Sequence, residues 1–219
     1  MKALKLKIYQ ETTCYKKPFS VKVGETYPLP PYSTIFGLCQ NILGVKSGTC
    51  EPLDISIQGT YESIVHLYNT KVFIKPNVIT SMPLYDHLLY GVSLIIHISG
   101  ETSVLNKLYN NLKNNCSFYS LGRREDMFRL DSIEFVDLQK IEIDEDGPLI
   151  KLKNNTYIPY SYDCDANGIY YRLNKTYKVK NNLRTFEKVD VRYVEKGSKI
   201  EYGLCYIDSS KEQDICFLA

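Results

Sequence analysis

The sequence contains no tryptophan and only three histidines, His66, His87 and His97. These histidines form no HxH, HxxxH or HExxH pair, so the common metal-binding patterns are missing. GxSxG, P-loop and GxGxxG motifs are missing too, which leaves hydrolase and nucleotide-binding classes without their usual support. We therefore expect no metal and no cofactor.

Pairing signals among the cysteines are also missing. The seven cysteines are odd in number and include no CxxC pair. A disulfide framework is therefore disfavoured, and a reducing cytoplasm is the expected compartment. No run approaches the ~18 apolar residues of a membrane span, and the charged N-terminal MKALKLKIYQ is not a predicted signal peptide. We expect a cytoplasmic protein with no membrane partner.

A large net excess of positive or negative charge is missing as well. The 27 Lys and Arg against 25 Asp and Glu leave a net charge of +2. Such a balance neither requires nor excludes a polyanionic partner, so a nucleic-acid site would have to come from local clustering. Tyrosine is abundant, with 19 residues. A tyrosine suits stacking on bases, but a single one is more often simply a good strand residue.

The N-terminal pattern is that of a strand. Apolar and polar residues alternate over 4–9, which predicts a half-buried strand. Its outer face carries Lys5 and Lys7 and is interpreted either as a solvated edge or as a surface that meets phosphate.

A helix is predicted after the Pro-rich turn at 28–32. Apolar residues recur at helical spacing over 35–43 and Gly44 ends the helix, with Ser33 or Thr34 as the predicted cap. Gly37 inside this helix costs about 1 kcal/mol relative to alanine, which predicts that something packs closely against it.

The region from 53 to 75 predicts strands, and its second part is rich in tyrosine and ends in Lys71 and Lys75. It lacks a clean apolar alternation, which favours a partly exposed β-arm. The next predicted elements are a strand at 90–98, a helix over 101–112 and a strand at 117–121.

This order of strands and helices predicts an α+β protein. Residues 1–127 follow the β-α-β-β-α-β plan of a ferredoxin-like (RRM-related) domain. Residues 128–219 contain strand patterns only, separated by turn signals at 145–147, 165–168 and 195–198, which predicts an all-β C-terminal portion packed against the first.

The hexapeptide LGRRED (121–126) is the leading candidate site. Gly122 permits close approach of the backbone to a ligand, and Arg123 and Arg124 suit phosphate and base-edge contacts. Glu125 and Asp126 either orient the arginines or cancel them. The competing interpretation is a charged turn that pairs with itself.

Several segments together resemble one known family. The segments are PPYSTIFGLCQNILG (30–44), HLYNTKVFIKP (66–76), LYGVSLIIHI (89–98) and LGRREDMFRLDSIEFVDL (121–138). They are similar to CRISPR-associated protein five, a RAMP-superfamily subunit of type I Cascade complexes, with the type I-B branch nearest. The resemblance covers residues 1–140, and the C-terminal third matches only loosely.

The resemblance implies a ferredoxin-like core with a β-hairpin thumb at about residues 58–80. It also implies a subunit that caps the 5′ handle of the CRISPR guide RNA, next to a Cascade backbone subunit and a large subunit. The residues expected at the RNA, carried over from the family, are Gly122, Arg123, Arg124, Tyr32, Ser33, Thr34, Lys71 and Lys75.

Two alternatives stay open. One branch of the family, type I-C, cuts precursor RNA with a Tyr, Lys and His constellation. This sequence has no adjacent Lys-His pair, so a non-catalytic subunit is favoured over a metal-independent endoribonuclease using Tyr32 with His87 or His66. The other alternative is a structural subunit that contacts only proteins, for which the low net charge and tyrosine-rich strands are the support.

Overall fold

The computed structural model describes residues 1–20, 22–46, 49–76, 78–114, 117–143, 149–180 and 183–219. Within them lie two helices, α1 (Tyr32–Leu43) and α2 (Thr102–Asn114). The strands are β1 (Lys2–Thr13), β2 (Val23–Gly24), β3 (Leu53–Thr60), β4 (Ser63–Lys75), β5 (Val78–Gly100), β6 (Arg129–Ile143), β7 (Ile150–Lys151), β8 (Asn155–Pro159), β9 (Ile169–Lys180), β10 (Leu183–Val194), β11 (Lys199–Ile200), β12 (Gly203–Asp208) and β13 (Ile215–Cys216).

Most of these strands join one large sheet. Its order is β13-β12-β6-β1-β5-β3-β8-β10-β9, and β2 and β4 also pair with β5. The short strands β7 and β11 form a separate pair. The sheet therefore runs across the predicted boundary at 127/128, because β6 pairs with β1 on one side and β12 on the other. The division of the chain into a domain of residues 1–127 and a C-terminal portion of residues 128–219 stays a prediction.

The helices cover one face of the sheet. Leu4, Leu6 and Ile8 of β1 are buried in the same apolar cluster as Ile35 of α1 and Leu105 of α2. The strand alternation places these β1 residues on one side, and the helical spacing of α1 and α2 presents apolar stripes to it. The predicted helix end is confirmed, since Gly44 has a φ of 67°. The predicted cap is wrong: Pro31 is at the N-cap and no side chain caps the helix.

The opposite face is covered by C-terminal residues, not by solvent. Lys5 is completely buried, and Asp208 and Asp214 contact its ammonium group. The expectation of an exposed basic face on β1 is therefore wrong at Lys5. Lys7 keeps partial exposure and pairs with Glu212.

A second apolar core lies in the C-terminal part of the chain. It gathers Ile143 of β6, Ile158 of β8, Val194 of β10, Ile200 of β11 and Cys205 of β12, together with Phe217, which follows β13. This core confirms that the C-terminal region is built mainly from strands.

Two predicted elements differ from the structure. Residues 117–121 form no strand, and only an isolated bridge joins Ser120 to Met127. LGRRED therefore precedes the last strand beside β1, which is β6, instead of following it. Local aromatic content suggested a strand, but the main chain here bonds mostly within its own loop. The turn predicted at 145–147 lies outside the described residues.

A long antiparallel hairpin extends from the sheet. Ser63–Lys75 pairs with Val78–Tyr90, and all thirteen residues of β4 are exposed. The hairpin is thus shifted from the predicted 58–80, because its returning strand is continuous with the predicted strand at 90–98. Only Gly91, with a φ of 61°, marks the junction, and one glycine gives too weak a sequence signal to separate them.

Neither described helix is long and apolar enough to cross a membrane.

Candidate nucleic-acid interface

The candidate site is the loop of residues 121–126, named here the arginine loop. Gly122 has a φ of 113°, a conformation that disfavours any residue with a Cβ. A Cβ at Gly122 would also lie 2.7 Å from Thr13 Oγ1 and 3.1 Å from the carbonyl oxygen of Cys14. Glycine is therefore required here for two reasons, its backbone angle and the close approach to the end of β1.

Asp126 fixes the loop to the sheet. Its buried carboxylate accepts hydrogen bonds from the main-chain N–H of Cys14 at 2.9 Å and of Arg123 at 2.8 Å. The Thr13 hydroxyl donates to the same carboxylate at 3.3 Å. Gln10 Nε2 holds the start of the loop by donating to the carbonyl oxygen of Leu121 at 2.8 Å. The loop is consequently a rigid projection from β1.

The two arginines have different environments. Arg123 donates from Nη2 to Asp126 Oδ1 at 2.7 Å and from Nε at 3.1 Å, and its Nη1 lies 3.3 Å from Glu125 Oε1. Arg124 is exposed, and its guanidinium has no ion-pair partner among the described residues. The interpretation of a charged turn that pairs with itself therefore holds for Arg123. Arg124 is the cation of this loop that has no ion-pair partner among the described residues.

Lys71 and Lys75 lie on the hairpin face that also carries Asp86. In the hairpin register Asp86 is opposite Leu67, and side chains alternate with a period of two, so positions 67, 71 and 75 share a face. Asp86 Oδ2 lies 3.8 Å from Arg123 Nη1. At about 3.3 Å per residue, Lys71 and Lys75 are about 13 and 26 Å beyond Leu67. Lys71 and Lys75 therefore lie along one hairpin face that begins near the arginine loop, and they do not converge with the loop in one pocket.

The predicted residues of α1 do not form a contact surface as a set. Tyr32 is fully buried, its hydroxyl has no hydrogen-bond partner, and its ring lies 6.1 Å from that of Tyr157. Burial raises the pKa of Tyr32 well above its usual value. Ser33 and Thr34 are half-buried, and the main-chain N–H of Thr34 bonds to the carbonyl oxygen of Pro31 at 2.9 Å. Tyr32 therefore cannot contact RNA in this conformation.

The three histidines fall into two environments. His66 and His87 face each other across the hairpin with ring centroids 4.4 Å apart, beside the Tyr68–Tyr85 pair at 5.0 Å. His97 is buried on the side of β5 away from the helices.

His97 belongs to a buried polar group, named here the Lys5 cluster, formed by Lys5, His97, Asp208 and Asp214. The half-exposed Glu212 lies at its edge, with Oε2 3.6 Å from Lys5 Nζ. Lys5 Nζ lies 2.8 Å from one carboxylate oxygen of each aspartate, and His97 Nε2 lies 2.9 Å from Asp208 Oδ2. Burial raises the pKa of Asp208, but hydrogen bonds from His97, Lys5 and Ser210 outweigh it and lower that pKa well below its usual value.

Sequence reasoning missed Phe118, which is 90% exposed three residues before Leu121. An exposed aromatic ring has a face on which an unpaired base can stack. The available signal is Phe118 in the polar stretch NNCSFYS, but the sequence predicts a strand over 117–121. Across the described residues, no three or more His, Cys, Asp and Glu side chains are grouped so as to hold a metal ion.

The fold and the rigid glycine loop define an α+β protein with a large antiparallel sheet, and comparison with known proteins specifies the family. The family model described as "CRISPR-associated protein (Cas_Cas5)" matches residues 3–157. The chain belongs to this family and is a CRISPR-associated protein. A search of curated protein sequences finds no match.

Two solved structures share the fold. A chain of a "CRISPR RNA-guided surveillance complex" superposes with a TM-score of 0.62 at 14% identity, covering 90% of this chain and 91% of that one. A CRISPR protein from Archaeoglobus fulgidus superposes with a TM-score of 0.58 at 8% identity, covering 100% and 99%. At these identities the likeness concerns the fold alone.

Proposed function

We propose that this chain is a non-catalytic subunit of a CRISPR RNA-guided complex and that it binds the single-stranded 5′ handle of the guide RNA with the arginine loop. Family membership supports a CRISPR role, and the surveillance-complex neighbour supports assembly into a multi-subunit particle. The observation that carries the proposal is the rigid loop, whose main chain is held beside β1 by Asp126 and carries the exposed Arg124.

Rigidity matters because the loop main chain is already ordered, so only the side chain of Arg124 loses conformational entropy when it meets phosphate. Asp126 holds Arg123 by its Nε and Nη2 edge, and Arg124 keeps all its donors available for phosphate or base edges. The exposed ring of Phe118 adds a stacking surface, which suits the unstacked bases of single-stranded RNA.

The hairpin is the proposed thumb. Lys71 and Lys75 extend the cationic row away from the loop, so the RNA backbone is expected to follow this face. Exposed apolar side chains near the tip, including Ile74 and Ile79, suit contact with a neighbouring protein, for which a backbone subunit and a large subunit are the proposed partners.

The sheet order supports assignment of the core as ferredoxin-like. Strands β6, β1, β5 and β3 are adjacent in that order and antiparallel, and α1 and α2 pack on one face. In chain order this is a 4-1-3-2 sheet, the order that a β-α-β-β-α-β unit forms.

The test is fluorescence anisotropy with end-labelled handle RNA in chelator. Arg124→Ala is expected to raise the Kd about tenfold, because it removes a charge-assisted contact, and to reduce the salt slope by about 0.7. Arg172→Ala is the matched control, because Arg172 is exposed and lies 3.6 Å from Asp190. Equal affinity of the wild type and Arg124→Ala would reject the loop as the binding site.

The endoribonuclease alternative predicts cleavage of repeat RNA in chelator that Tyr32→Phe abolishes. The burial of Tyr32 weighs against it, since its hydroxyl reaches no solvent. Intact repeat RNA after incubation with wild-type protein favours the capping role. A single cut lost in Tyr32→Phe favours the enzyme.

A further inference from the structure

A groove of about 450 Å³ separates α1 from the β9–β10 hairpin. Its lining residues are Ser33, Gly37, Gln40, Asn41, Val45, Tyr177, Arg184 and Phe186. One wall is thus a polar helix face, and the other carries two aromatic rings and one cation. The groove contains none of the arginine-loop residues.

Gly37 is the unusual residue of the helix wall. It lies in the interior of α1, and a Cβ built there would have no atom within 4 Å. The expectation that a neighbour packs closely on this glycine is therefore wrong. Glycine is a poor helix former, and here neither packing nor backbone angle requires it. Its effect is to open the helix backbone to the groove, which suits a ligand that approaches closely.

The hairpin wall supplies stacking and charge. The Arg184 guanidinium lies 4.7 Å from the Tyr177 ring centroid, and Tyr177 and Phe186 are 6.1 Å apart across the strands. Arg184 has no ion-pair partner in the described part of the chain, unlike Lys178, which pairs with Glu187 on the same hairpin. An aromatic pair with an unpaired arginine is suited to a flat ring that carries a phosphate.

We infer that this groove binds one unpaired nucleotide of the single-stranded RNA, with the base against Tyr177 or Phe186 and its phosphate at Arg184. Asn41 is exposed on the helix wall and supplies an amide that can both donate to and accept from a base edge. The inference rests on the proposed RNA-binding function and adds a second contact point, separate from the arginine loop.

The experiment uses the full chain and a short single-stranded handle RNA containing 4-thiouridine. Gly37→Ala is the decisive variant, because alanine favours the helix and its methyl group projects into the groove. Its unfolding temperature is expected to rise while its Kd for RNA rises at least about fivefold. Arg184→Ala is expected to weaken binding similarly, and Arg172→Ala on the same hairpin serves as the control. Photocrosslinks are expected on peptides that contain Tyr177 or Phe186.

The outcomes separate this inference from the proposed function. If Arg124→Ala weakens binding while both groove variants match the wild type, the groove assignment is overturned and the loop assignment stands. The reverse pattern upholds the groove and rejects the loop. Wild-type protein that binds no RNA overturns both. Groove variants that lose only a protein partner show that a peptide occupies the groove, which also overturns the inference.

Discussion

The Lys5 cluster and the arginine loop both contain a cation paired with aspartate, and both lie at β1, but their cations are buried to different degrees. The side chain of Lys5 is 0% exposed, whereas that of Arg123 is 21% exposed. In the cluster the Lys5 ammonium lies 2.8 Å from a carboxylate oxygen of each of the buried residues Asp208 and Asp214. In the loop the ion pair fixes the backbone and leaves Arg124 outside. Complete enclosure therefore suits joining two parts of the fold, and partial enclosure suits holding a free cation in position for a ligand.

The largest loss of stability is expected from Lys5→Met, which removes the buried cation of the comparison. It leaves Asp208 and Asp214 without their cation in a buried site, so the free energy of unfolding should fall by about 3–5 kcal/mol. Urea denaturation measures the change. Lys7→Met is the control on the same strand, where the partner Glu212 is exposed, and it should change stability by less than about 1 kcal/mol. Equal effects of the two variants would mean that enclosure does not distinguish them.

Acid should affect the enclosed cluster next. The pKa of Asp208 is lowered in the folded protein, so its contribution to stability is present above its unfolded pKa near 4 and is lost as pH falls toward the folded value. The loss should approach about 1.4 kcal/mol per pH unit for this one group. Thermal unfolding from pH 5 downwards measures it. Asp208→Asn should show a shallower decline, and an unchanged slope would contradict the assignment.

Asp126→Ala should have an intermediate effect. It removes the acceptor of the Cys14 and Arg123 main-chain N–H groups, and a loss of about 2 kcal/mol is expected. RNA affinity should also fall, because the loop loses its fixed shape. Asp131→Ala is the control, since its pair with Arg129 is exposed and should contribute less than about 1 kcal/mol.

Arg124→Ala should have the smallest effect on stability, within about 0.5 kcal/mol of the wild type, because the side chain is exposed and unpaired in the described structure. Differential scanning fluorimetry measures this directly. A large destabilisation would show that Arg124 supports the fold, and its loss of RNA binding would then say nothing about contact.

The same comparison explains what the sequence predicted. Both helices, the Gly44 helix end and the strand at 90–98 follow from apolar spacing over a few residues, and all appear in the structure. The Lys5 cluster was not predictable in this way, because a lysine alternating with leucines has the same pattern whether water or an aspartate 203 positions later faces it.

The arginine loop was predicted in part. A glycine before charged residues is a local signal, and Gly122 has a φ of 113°; the backbone it brings close is the end of β1, and its place at the RNA stays a prediction. Among the described residues Arg123 is paired and Arg124 is free because the folded loop brings only Arg123 to Asp126. The spacing of these residues in the sequence does not predict which of the two arginines is paired. The exposure of Phe118 likewise depends on a strand that does not form.

The Lys5 cluster has a consequence for the order in which the protein can be completed during synthesis. Lys5 leaves the ribosome about two hundred residues before Asp208 and Asp214. At about 5–20 residues per second, β1 waits on the order of 10–40 s before its buried lysine has a partner. During that interval the helices can cover only one side of the sheet. The face around Lys5 stays exposed to water until β12 and β13 have been synthesised.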